Sequence, residues 1–346
     1  MTAGRSRPCG RWLLPSVRSM LAGRAGVPAT GDSATGTGRA AAKLILFGEH
    51  VVVYGRPAIS MPVPELAATA TARRSKGPVV IESTHRAGQG LTSRFGDTAV
   101  SRVAVSAVCT HLRTRDRGLV LTVRSAIPPA RGLGSSAAIA AAIIEAVADL
   151  GGRKLADDTL FTLIQESEAL AHGKASGVDA RTVIGSGGPL WFHDGAVRPL
   201  AVADGPHYRP VLVVADTGVA GSTRRAVATA RRRLAALGAE GTELLDRVAI
   251  LTAGAAEDLQ HGRWTELGHA MTVNQGLLRR LGVSCPAIDT LVAAALDGGA
   301  LGAKLSGGGL GGCIIALAAD PDAVERALHT AGAPHCFRVP LHPVRE

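Results

Sequence analysis

Three clusters of residues carry the chemistry in this sequence. The first is Gly132-Leu133-Gly134-Ser135-Ser136-Ala137-Ala138, set between a β-branched run and a long apolar stretch. Its glycines let backbone N–H groups come close to an anion, and Ser135 or Ser136 can cap the helix that follows. The first turn of that helix offers unpaired donors and a positive dipole end, so the loop suits a phosphate. No Lys-Ser/Thr pair follows the last glycine, which rules out a Walker A loop. A plain capped helix start explains the same composition. The second cluster is Glu168 followed by His172-Gly173-Lys174-Ala175-Ser176-Gly177-Val178-Asp179. Glu168 lies near a helix end and Asp179 just past a glycine turn. The chain can therefore fold back and set a magnesium ligand beside a base for a hydroxyl. A surface glutamate and a turn aspartate are the plainer alternative, and His172 reads as a helix C-terminal residue. The third cluster, Lys304-Leu305-Ser306-Gly307-Gly308-Gly309-Leu310-Gly311-Gly312-Cys313, is a strand, five glycines around one leucine, and another strand. One or two glycines suffice for a hairpin, so the surplus argues for close packing against phosphates or another loop, with a low-complexity linker as the alternative.

The elements that must hold these clusters follow from periodicity and turn signals. Lys43–Phe47, Val51–Tyr54 and Leu119–Ser125 read as strands, and strands dominate the first hundred ordered residues. A buried helix is predicted over Ser135–Leu150, apolar almost all round, and another over Asp157–Ala171. A strand near Pro189–His193 precedes Gly205-Pro206, where a first domain ends. The second domain reads as a strand at Val211–Ala215, helices near Ser222–Leu237, Glu243–His261, Trp264–Leu281 and Pro286–Ala295, strands at Ala303–Leu305 and Cys313–Leu317, a helix Pro321–Ala331 and a strand Cys336–Val339. Helices beside strands without strict alternation indicate the α+β class. Three segments result: a disordered basic extension 1–40, an N-terminal domain 41–205 and a C-terminal domain 206–346.

Composition narrows the function. With 46% hydrophobic and 19% charged residues among 346, the chain can bury a large core. The net charge is +10, but the first 40 residues hold six arginines against one aspartate and so carry half of the excess. Aromatic residues make up only 3%, with no basic and aromatic interleaving of the kind that stacks bases, so no nucleic-acid partner is expected. The longest apolar run, near Ala137–Val147, is interrupted by Glu145 and falls short of the roughly 20 residues a bilayer demands, so no membrane partner is expected either. The five cysteines are scattered without a CxxC pair, as for reduced thiols in the cytoplasm.

Taken together, Lys43–Gly55, Pro128–Ala138, Ser176–Asp179 and Lys304–Cys313 resemble the ordered motifs of the GHMP kinases. Within that family, Gly48-Glu49-His50 and the run Asn274–Ser284 are most similar to the mevalonate-phosphorylating branch. The resemblance implies a two-domain GHMP kinase fold, with an N-terminal domain like the second domain of ribosomal protein S5 and a ferredoxin-like C-terminal domain. It implies ATP and Mg2+ as cofactors, mevalonate as the small-molecule substrate and a homodimer. Phosphomevalonate or homoserine phosphorylation, or a non-catalytic basic protein on the same fold, are the alternatives. It also implies roles: Asp179 as the base, Lys43 as the cation facing it and the substrate, and Ser136 with Glu168 as the metal ligands. Gly132, Leu133, Gly134, Ser135, Ser136, Ala137, Glu49, Gly307 and Gly308 would contact the nucleotide, and His50 the substrate. Ala41-Ala42 stand where the family has Pro-Gly, Ala175 where it has proline, and Gly308 and Leu310 where alanine and glycine are usual. These changes reshape turns and spare the polar positions.

Overall fold

In a computed structural model, residues 34–87, 91–95, 98–172, 176–185, 187–203 and 210–341 are described. Residues 32–346 form one compact unit. The domain boundary expected at 205/206 lies outside the described residues, as do residues 1–33 of the extension.

The first half opens with β1 (Thr35–Phe47), a 3-10 turn at Val52–Tyr54, β2 (Ala58–Arg74), β3 (Val80–Ala87) and β4 (Leu91–Phe95). It continues through α1 (Ala99–His111), β5 (Leu119–Ser125), α2 (Ser135–Leu150), α3 (Asp157–His172), α4 (Val178–Ile184), β6 (Leu190–His193) and β7 (Ala196–Pro199). The sheet runs β4-β3-β5-β2-β6-β7 with β1 laid antiparallel along β2. Among the described residues, only β3 and β5 pair in parallel.

The extension was expected to run to residue 40, yet Thr35–Ala40 belong to β1 and pair with β2 from Thr35 opposite Arg73 to Ala40 opposite Ala68. Composition misled because the glycines in Thr35-Gly36-Thr37-Gly38 serve close packing. A Cβ on Gly36 would fall 2.2 Å from the Ala146 carbonyl oxygen, and one on Gly38 2.1 Å from that of Ala142. Small residues on both sides let β1 and α2 approach backbone to backbone; Ala138, Ala142 and Ala146 of α2 are fully buried against this strand layer. Val52–Tyr54, expected as a strand, is instead a 3-10 turn. Gly48 at φ 92° and His50 at φ 64° bend the chain just before it, and that bend overrides the β-branched preference.

The second half comprises β8 (Val211–Asp216), α5 (Thr223–Leu237), α6 (Ala239–His261), α7 (Trp264–Arg280), α8 (Pro286–Asp297), β9 (Ala300–Ser306), β10 (Cys313–Ala318), α9 (Pro321–Thr330) and β11 (Cys336–Pro340). Its antiparallel sheet is ordered β11-β8-β10-β9. Numbered within this half, the strands lie 4-1-3-2 with helices after the first and third, which is the ferredoxin-like arrangement. One face of this sheet, through Ile315 and Leu317, joins a core that includes Leu44, Leu46 and Ile144 of the first half. The other, through Leu305, Ile314 and Ala316, packs with Leu278, Ile288 and Val324 of α7, α8 and α9. Both halves therefore share buried surface at the level where the three clusters meet.

Candidate active site

The loop before α2 takes its shape from left-handed backbone at Ala130, Gly132 and Gly134, with φ of 55°, 74° and 70°. Gly134 is the N-cap of α2 and no side chain caps the helix. Ser135 and Ser136, expected as caps, are instead its first two residues. An N-terminus left uncapped by side chains keeps its first-turn N–H groups for an anion. Leu133 and Ala137 are buried beneath, while Ser135 and Ser136 are half-buried.

Lys43 passes directly under this loop. Its backbone N–H donates to the Leu133 carbonyl at 3.0 Å. Its side chain is so close below that a Cβ on Gly134 would fall 2.7 Å from Lys43 Cγ. Lys43 Nζ then reaches Asp179 Oδ1 at 2.8 Å, with Lys43 3% and Asp179 37% exposed. A buried ammonium is thus paired to a carboxylate whose other side is open to the cleft. Asp179 lies in the first turn of α4, and Arg181 anchors that helix by stacking 3.9 Å over the Phe161 ring of α3 and pairing with Asp158 at 2.7 Å. Glu168, on the same α3, is 3% exposed.

The glycine-rich hairpin between β9 and β10 closes onto the loop from the second half. A Cβ on Gly307 would sit 2.9 Å from the Gly132 carbonyl oxygen, so the two loops pack backbone on backbone. Gly308 receives a hydrogen bond from His50 Nε2 at 2.8 Å. A carbonyl only accepts, so that nitrogen carries the proton. His50 is 9% exposed, and burial, working against the Gly308 bond, lowers its pKa to about 4. At neutral pH it is an uncharged imidazole. Ser306 Oγ bonds to both the N–H and the carbonyl of Ile45, at 3.1 and 3.0 Å.

Glu49 behaves differently from the expected nucleotide contact. It is 1% exposed and forms an ion pair with Lys304, itself fully buried. Burial pushes the Glu49 carboxyl up and the Lys304 ammonium down, and each partner opposes the other's shift. Lys304 also donates to the Leu305 carbonyl at 2.6 Å. Glu49 therefore supports the turn that carries His50 and stands behind the cleft surface. Lys304 had no assigned role in the sequence, although a lone lysine inside an apolar strand is the signal of a buried partner. Arg131 and Asp216 were likewise missed. Among the described residues no three His, Cys, Asp or Glu side chains gather as a metal cage.

A carboxylate paired to a buried lysine, a helix N-terminus without a side-chain cap and a glycine hairpin packed over it form an arrangement suited to phosphoryl transfer. Residues 99–188 match the family model of the GHMP kinases N terminal domain, and residues 255–334 match that of the GHMP kinases C terminal. The chain belongs to the GHMP kinase family. A protein of Thermococcus gammatolerans named mevalonate kinase is 35% identical over 318 residues, which is 85% of this chain and 92% of that protein. The mevalonate kinase of Pyrococcus horikoshii is 36% identical over 298 residues, 81% and 87% of the two chains. The crystal structure of L. major mevalonate kinase in complex with R-mevalonate superposes with a TM-score of 0.77 at 28% identity, covering 90% of this chain and 97% of that one.

Proposed function

We propose that this chain is a mevalonate kinase, transferring the γ-phosphoryl group of ATP to the primary hydroxyl of mevalonate. The observation that carries the reading is the Lys43–Asp179 ion pair running beneath an uncapped helix N-terminus. Asp179 accepts the hydroxyl proton as the new O–P bond forms and the bond from the γ-phosphorus to the β,γ-bridging oxygen breaks. Lys43 faces both the carboxylate and the charge on the transferring group, and the N–H groups of Ser135, Ser136 and Ala137 hold the phosphates. The Ser136 hydroxyl and the Glu168 carboxylate are hard oxygen donors of the kind magnesium takes, and they would hold an ion that neutralises phosphate charge. His50, neutral and hydrogen-bonded to Gly308, would face the acceptor.

Mevalonate rather than phosphomevalonate fits this charge inventory. Lys43 is committed to Asp179 and His50 carries no charge at pH 7, so neither offers a cation to a second phosphate. The competing reading draws on Arg224 and Arg225, which open α5 where Thr223 lies against Gly308: a Cβ on Gly308 would fall 3.3 Å from Thr223 Cα. Steady-state rates with both acceptors at equal ATP decide between them. The expected preference for mevalonate is at least about 100-fold in kcat/KM, or roughly 2.7 kcal/mol. Faster turnover of phosphomevalonate would reassign the substrate.

A further inference from the structure

The phosphate loop does not hold its own shape. Ala130 sits at φ 55°, a conformation that strains a residue bearing a Cβ, and two left-handed glycines follow within four residues. What fixes it is a series of ties to separate elements. The Ala130 carbonyl accepts the Gly221 N–H at 2.8 Å, and the Leu133 carbonyl accepts that of Lys43 at 3.0 Å. The Gly132 carbonyl packs on Gly307, and the Arg131 carbonyl packs on Gly312, where a Cβ would fall 3.0 Å away. One tie in the series is made by side chains: Arg131 Nε lies 2.6 Å from Asp216 Oδ1, with the two side chains 18% and 9% exposed. The same Asp216 oxygen accepts the Gly218 N–H at 2.8 Å. Asp216 thereby shapes the turn that ends in Gly221, whose N–H meets Ala130. The contact with Arg131 is one of charge rather than an aligned hydrogen bond, and its burial shields it from the screening that weakens surface pairs.

We propose that Arg131 and Asp216 are positioning residues for the phosphate loop, setting nucleotide affinity through loop shape while neither touches the nucleotide. The inference rests on reading Gly132–Ala137 as the phosphate-holding loop. It differs from the obvious reading of an arginine beside such a loop, which would make it a phosphate ligand. The Arg131 guanidinium lies against Asp216 at the end of β8 and is already matched by its carboxylate.

Titration calorimetry of the full chain with a non-hydrolysable ATP analogue and magnesium tests the proposal, with the acceptor KM measured in parallel. Arg131→Met and Asp216→Asn should each weaken analogue binding about tenfold, and the acceptor KM should stay within about twofold. Because both residues act through one contact, the double variant should bind no worse than the poorer single variant. Arg131→Lys should recover most of the affinity, since charge suffices. Asp216→Asn keeps an acceptor for the Gly218 N–H, so it decides the matter if Arg131→Met does not fold. Single variants at wild-type affinity, multiplying losses in the double variant, or a loss confined to the acceptor KM would each overturn the assignment; the last would make Arg131 an acceptor ligand. A wild type that binds no analogue would overturn the reading of the loop itself, and this inference with it.

Discussion

Gly134→Ala is the most informative single change to this cleft, because the structure separates its two costs. The first is backbone strain: at φ 70° an alanine costs roughly 1–2 kcal/mol relative to glycine. The second is steric. The new Cβ would fall 2.7 Å from Lys43 Cγ and 3.2 Å from Cε, in the middle of a side chain anchored at both ends. The Lys43 backbone is tied to Leu133 at 3.0 Å and its Nζ to Asp179 at 2.8 Å, so the lysine cannot swing clear without losing one of them. A displacement of about 1 Å at a reacting group costs on the order of 100-fold in rate. Gly152→Ala is the matched control: its φ is 65°, and nothing lies within 4 Å of the added Cβ. Gly152→Ala should lose a few degrees in a thermal melt from strain alone, and Gly134→Ala at least as much, since the clash adds to the strain. Only Gly134→Ala should lose turnover, by about two orders of magnitude in ADP release at saturating substrates. A Gly134→Ala enzyme within about threefold of the Gly152→Ala enzyme would refute the claim that Lys43 is threaded beneath the loop.

Other perturbations have equally definite outcomes. Asp179→Asn should lower kcat by about 10²–10⁴-fold, the loss typical of a general base, and should also lower the melting temperature because it leaves the buried Lys43 ammonium without its carboxylate; initial-rate assays beside thermal melts check both. Lys304→Met leaves the Glu49 carboxylate buried and alone, costing about 3–5 kcal/mol in urea unfolding, and adding Glu49→Leu should recover much of that by removing the stranded charge. His50 titrates from a lowered pKa of about 4, so the unfolded chain takes up a proton first as pH falls through about 6.5. Its contribution is therefore complete above that pH and drains away toward pH 4, by roughly 3 kcal/mol in all. Urea midpoints of His50→Gln should accordingly change less over that interval than those of the wild type.

How far the sequence revealed this arrangement depended on how local each signal was. The helix at Ser135–Leu150 and the strands at Leu119–Ser125, Val211–Asp216 and Cys313–Ala318 announce themselves through composition and flanking glycines, and the structure carries them close to the expected limits. Asp179 and Lys43, 136 positions apart in the chain, were paired by family resemblance, and their 2.8 Å contact follows that pairing. Contacts with no local signature stayed hidden. Lys304 and Glu49 are 255 residues apart, and nothing near either names the other. Arg131 reads as one more basic residue until β8 brings Asp216 beneath it. The helix at Ala99–His111 was lost within a segment expected to be mostly strand, since five of its thirteen residues are valine or threonine, which favour strands by propensity. Its N-cap was nonetheless written in the sequence, as Thr98 accepts the Ser101 N–H at 3.2 Å.

The glycine-spaced start of β1 bears on how the protein tolerates shortening. A chain trimmed to residue 41 would keep every residue of the cleft. It would nevertheless strip β2 of its partner from Ala68 to Arg73, and uncover the flank of α2 that Gly36 and Gly38 approach. Six residues of bare strand edge beside an alanine-lined surface are adhesive, because an unpaired strand recruits another chain to satisfy its N–H and C=O groups. Such a fragment should fail by self-association, its soluble yield falling with concentration, while whatever stays dispersed still turns over substrate.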